Sequence, residues 1–159
     1  MPAPTTLIPA AVAAPVRLQL SDRLVIGGCA VGAVALLAVA AWLDPDPSRM
    51  GTHTQLGIPS CTWPTMLGLP CPSCGMTTSF ALAADGRIID SLRAQPLGFL
   101  LAVGVAAFAV AGVYAAATGS RMVGAIASSF GPKWWLFLGG AALLAWGYKI
   151  LLVRGVLTG

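Results

Sequence analysis

The chain contains no glutamate, a single histidine (His53), and charged side chains at only 9% of its 159 positions. General acid–base catalysis needs a histidine or carboxylate placed beside the reacting group. Five aspartates and one histidine supply few such groups, so a hydrolytic enzyme is disfavoured and a non-enzymatic role is expected. The shortage of charge excludes more. A soluble domain carries roughly 25% charged residues to cover its surface. With 57% hydrophobic residues and a mean hydropathy of +0.85, this chain has to be dissolved in lipid. Basic clusters interleaved with aromatics are also missing. The net charge of +4 therefore reads as flanking charge on membrane helices, and nucleic acid is not an expected partner.

What the chain does have is three apolar runs, at 24–43, 97–117 and 134–153. Each is about 20 residues long, enough at roughly 1.5 Å per residue to cross a hydrocarbon core of roughly 30 Å. Lipid offers the backbone no hydrogen-bond partner, so each run must be a helix. Trp42, Trp134 and Trp135 stand at run ends, where aromatic belts form. Lys149 lies one turn from the end of the third run, from which its ammonium can snorkel outward. Gly27, Gly28 and Gly32, and Gly139 and Gly140, offer small faces for helix packing. Ala38-Val39-Ala40 has the form of a signal-peptide cleavage site, but the run is long and its lead oversized, which favours a retained span. Residues 1–23 read as a disordered tail, proline-rich and uncharged over 1–16, and residues 24–159 as a single membrane domain.

The expected fold is thus an all-α membrane protein. It has three transmembrane helices and a cysteine-bearing loop, 44–96, that contains short interfacial helices. Within the loop, Met76, Phe80, Ala83 and Ala84 recur at helical spacing, as do Ile88, Ile89 and Leu92 after an Asp85-Gly86 break. Basic residues balance four against four across the two sides. The loop's four aspartates favour an outward-facing loop.

The loop holds three of the four cysteines, Cys61, Cys71 and Cys74; Cys29 sits mid-span as a small apolar residue. Three readings of the loop thiols stand open. Cys71 and Cys74 have the C-x2-C spacing that grips one tetrahedral ion, with Cys61 as a third ligand, His53 as a fourth, and zinc as the candidate metal. Alternatively the pair cycles between dithiol and disulfide as a membrane redox relay, with Cys61 resolving mixed disulfides. Helix dipoles beginning at Gly75 would then lower a thiol pKa. In the third reading the thiols only pin the loop, the prolines and Gly75 set the turn, and Thr77, Thr78 or Ser79 caps the helix.

The stretch CPSCGMTT, with Cys61 ten positions earlier, Asp85-Gly86 after the short helix and Gln95-Pro96 before the second span, resembles an uncharacterised bacterial membrane family, domain of unknown function 2752. The resemblance covers roughly residues 40–115 and implies a small multi-pass protein of the bacterial cell membrane. That family's motif carries an arginine where this chain has Thr78, and usually an asparagine where it has Gln95. The expected partners are the lipid bilayer and either another membrane protein or a second copy of the chain.

Overall fold

Apolar side chains alone do not decide how three helices sit together in lipid, because the tails around them are equally apolar. Close backbone approach and hydrogen bonds between segments decide it. The computed structural model describes residues 17–129 and 131–155, and residues 1–16, most of the expected tail, lie outside the described part. Seven α-helices and a short 3-10 turn follow in the order α1 (Leu20–Trp42), the 3-10 turn (Thr52–Leu56), α2 (Trp63–Leu67), α3 (Met76–Ala84), α4 (Ile88–Ala94), α5 (Pro96–Thr118), α6 (Met122–Ser129) and α7 (Lys133–Val153). No strand occurs among the described residues. Helices α1, α5 and α7 are long and apolar enough to cross a membrane, in agreement with the three runs.

The span limits shift by a few residues. Helix α1 starts at Leu20, four residues before its apolar run, because its first turn has work outside the hydrocarbon. Arg23 donates to the carbonyls of Ala116 and Ala117, both at 2.8 Å. Those are among the last carbonyls of α5, which have no partner within their own helix and carry the negative end of its dipole. Helix α6, in the connection between the second and third spans, was not foreseen.

Helices α1 and α5 pack along their lengths, and the tightest approaches are at glycines of α5, Gly112 against α1 and Gly98 against α3. A Cβ at Gly112 would lie 3.0 Å from the Ala30 Cβ, and one at Gly98 would lie 2.9 Å from the Ser79 Cβ. Of the glycines expected to form packing faces, only Gly27 meets a neighbour, Ala116. Gly28, Gly32, Gly139 and Gly140 face open space. Periodicity marks a small residue but not which helix it will meet.

Helix α3 tucks against both α1 and α5, while α4 leaves Ile88 and Ile89 exposed. A buried polar knot holds the two short helices to α5. Ser79 Oγ lies 2.9 Å from Ser91 Oγ and also reaches the Ser91 and Gln95 carbonyls, while Ser91 Oγ donates to the Ser79 carbonyl at 2.7 Å. Thr78 Oγ1 meets Thr52 Oγ1 at 2.8 Å, which ties α3 to the 3-10 turn. None of these hydroxyls caps α3, contrary to expectation; its N-cap is Gly75, with no side-chain bond. The hydroxyls are committed to neighbours that become close only in the fold.

Candidate functional site

The four residues Cys71-Pro72-Ser73-Cys74 close into a turn, with the Cys74 amide donating to the Cys71 carbonyl at 3.0 Å. Gly75 then takes a left-handed backbone, φ +85°, which reverses the chain into α3. Both thiols are thereby placed just ahead of the helix and turned inward, and both are buried. Their sulfurs lie 2.9 Å apart, and Cys71 Sγ is 3.4 Å from Ser73 Oγ. Cys61 returns to the same point by way of α2. The three sulfurs of Cys61, Cys71 and Cys74 all lie within 4.8 Å of one another. Among the described residues this is the one cluster of three or more His, Cys, Asp or Glu ligand atoms within such range. His53 sits half-buried in the 3-10 turn and is not a member of it. Cys29 is exposed on α1, away from the cluster.

The turn is gripped from three directions. Trp146 Nε1 donates to the Pro70 carbonyl at 2.8 Å, and Gln95 Nε2 donates to the Pro72 carbonyl at 3.0 Å, so the residues on either side of Cys71 are held. Behind Gly75, Lys149 Nζ donates to the Ala94 carbonyl at 2.8 Å and lies 3.5 Å from that of Arg49. Lys149 does not snorkel outward: it is only 3% exposed. The last carbonyls of α4 carry the negative end of its dipole and accept from this ammonium, so a buried cation finds compensation here that it would not find in lipid. The Oε1 of fully buried Gln95 is, among the described residues, the one buried side-chain oxygen or nitrogen without a partner.

Trp146 and Lys149, three residues apart on α7, are the site residues that the motif did not reveal. The signal was available: an ionisable group inside a span is costly enough to imply a partner. What it did not say was where that partner lay.

The two paired thiols are unequal. Burial pushes Cys74 up, and its hydrogen bond with Cys71 adds to this, to about 12. Burial opposes ionisation of Cys71 too, but hydrogen bonds from Cys74, Ser73 and Cys61 outweigh it and hold this thiol below its ordinary range. One sulfur of the pair is thus prepared to be a thiolate and the other to keep its proton. Three soft sulfur ligands at one point suit a thiolate-preferring metal ion, and their spacing lies within metal-binding range.

No curated protein and no solved structure matches the chain. The model of the family described as "Protein of unknown function (DUF2752)" matches residues 61–109, from Cys61 through both other thiols and the two short helices into α5, and the resemblance read from the CPSCGMTT motif holds over this stretch.

Proposed function

We propose that this is a non-enzymatic multi-pass protein of a bacterial cell membrane whose loop thiols hold one zinc ion as a structural centre, on the extracytoplasmic side. The observation that carries the reading is the convergence of Cys61 with Cys71 and Cys74, from segments ten residues apart, within 4.8 Å. Thiolate ligands select zinc over hard cations, and three of them around a divalent ion leave one net negative charge. The Lys149 ammonium, within electrostatic range of Cys74, offsets that charge in an apolar setting. The ion would staple α2 to the start of α3 and stiffen the loop against the bilayer. Such a stiffened face suits an accessory subunit that presents the loop to another membrane protein or to a second copy of itself.

Metal analysis of the purified protein tests this. The wild-type chain is expected to carry roughly one zinc per molecule and Cys71→Ser close to none, because an alcohol is a poor ligand for a thiolate-preferring ion. Background metal in both proteins would sink the reading.

The inequality of the paired thiols favours a second reading, a thiol–disulfide relay. Here the Cys71 thiolate attacks a partner's disulfide, forming a mixed disulfide and releasing one partner thiolate. Cys74, losing its proton, then attacks the Cys71 sulfur, which closes the Cys71–Cys74 disulfide and releases the second partner thiolate. Two electrons pass to the partner. Acid-quenched thiol trapping in intact cells distinguishes the readings. With Cys61, the other thiol able to resolve it, also replaced, Cys74→Ser should accumulate a mixed disulfide through Cys71, and its absence removes the relay.

A further inference from the structure

Three basic side chains from three separate segments meet on the loop side of the bundle, and no acid meets them. Arg49 follows the exit from α1, Arg93 ends α4, and Lys149 lies near the C-terminus of α7. Together with Met50, Leu152 and Val153 they line a cavity of about 150 Å³ that contains no carboxylate. The nearest acids lie outside this cavity. Arg49 also borders a neighbouring cavity with Asp46 and Asp90, but Asp90 pairs with Arg87 at 2.8 Å. Asp46 accepts from the Ser48 hydroxyl and amide at 2.6 and 2.8 Å. Among the described residues, Arg87–Asp90 is the one ion pair.

Like charges brought together around a partly apolar cavity repel, and the repulsion is strong where water is scarce. The fold nevertheless maintains the arrangement at some cost. Arg49 takes a left-handed backbone, φ 59°, and is the one residue other than glycine to do so among the described residues. That conformation is disfavoured for a long side chain and persists where the surroundings over-determine it. It also turns the Arg49 carbonyl toward Lys149 Nζ. An anion in the cavity would supply the missing counter-charge.

The depth of the cavity identifies the anion's chemistry. It opens beside the last turn of α7, where Leu151 and Val153 are exposed, and at the level where α5 begins. In a spanning chain this is the boundary between hydrocarbon and headgroups, where long basic side chains come within reach of lipid phosphates. We propose that Arg49, Arg93 and Lys149 bind the phosphate of an anionic lipid headgroup, with Met50, Leu152 and Val153 against the adjoining chain. The site shares Lys149 with the surroundings of Cys74, but it does not require that the thiols hold a metal.

Thermal unfolding of the full chain in mild detergent tests the site, with short-chain phosphatidylglycerol, short-chain phosphatidylcholine and inorganic phosphate titrated in turn. Phosphatidylglycerol should raise the midpoint saturably, and phosphatidylcholine should raise it much less. Arg49→Gln and Arg93→Gln should each weaken the apparent affinity about fivefold, which corresponds to about 1 kcal/mol per basic residue. Arg49→Lys should restore it, and Arg121→Gln, on the opposite side of the bundle, should leave it unchanged. Because exposed Arg93 can be replaced without disturbing the Arg49 turn, its variant keeps the test valid if Arg49→Gln folds poorly. Equal stabilisation by inorganic phosphate would overturn the lipid assignment. A phosphatidylglycerol effect undiminished in Arg93→Gln, or no saturable effect, would overturn the site.

Discussion

Gly75→Ala is expected to lower the stability of the protein by about 3 kcal/mol or more and to open the cysteine turn. Two costs add. An alanine forced to φ +85° costs roughly 1–2 kcal/mol relative to its preferred backbone. Its Cβ would also lie 2.7 Å from the Arg49 carbonyl oxygen, 2.9 Å from Lys149 Nζ and 3.2 Å from the Ala94 carbonyl oxygen. Two of those atoms are backbone. All three belong to the hydrogen-bonded cluster that holds α7 against the loop, so moving them breaks the attachment, and overpacking of this kind costs roughly 1–3 kcal/mol. Gly86→Ala is the internal control. It has a similar backbone, φ +74°, but nothing lies within 4 Å of its added Cβ, so only the conformational cost applies. Denaturant unfolding of both variants in detergent measures the difference. If Gly75→Ala loses no more stability than Gly86→Ala, the close packing around the turn is not what holds it.

The second large effect is expected at Lys149. Helix α7 buries Ala145 and Lys149, and Trp146 and Lys149 hydrogen-bond to the loop. Hydrogen bonds to a charged group contribute roughly 1.5–3 kcal/mol, and removing the donor leaves the Ala94 and Arg49 carbonyls unsatisfied. Relief from burying the ammonium offsets part of this loss. Lys149→Met, which keeps most of the volume but donates nothing, should therefore free α7 from the loop by about 2 kcal/mol. Local opening of that size exposes Cys71 to a membrane-permeant thiol reagent roughly thirtyfold more often, at tenfold per 1.4 kcal/mol. Unchanged labelling of Cys71 in Lys149→Met would mean that apolar packing, and not the ammonium, seats the third span.

Much of the candidate site could be read from residue order. The prolines and Gly75 indicate a turn that carries Cys71 and Cys74, and a helix begins at Met76 as the apolar spacing of 76–84 requires. The break at Asp85-Gly86 separates α3 from α4, as expected from a glycine that adopts φ +74° there. The hydroxyls of Thr78 and Ser79 were misread as caps for a definite reason. A hydroxyl near a helix start satisfies whichever buried partner is closest, and Thr52 and Ser91 come close only through the fold.

Sequence alone determined the three spans, because a bilayer leaves an apolar run of that length no other way to satisfy its backbone, and that constraint is local. It also put Cys71 and Cys74 within reach of a common centre, since C-x2-C spacing lets two sulfurs of one turn meet a single ion. Only the tertiary structure decided that Cys61 joins them, that Lys149 turns inward rather than toward water, and that Arg49 and Arg93 share a cavity with it. The physical reason is the same in each case. These contacts depend on which faces of α4, α5 and α7 meet, and in lipid that choice rests on a few glycines and buried hydrogen bonds distributed over about 100 residues of chain, from Arg49 to Lys149.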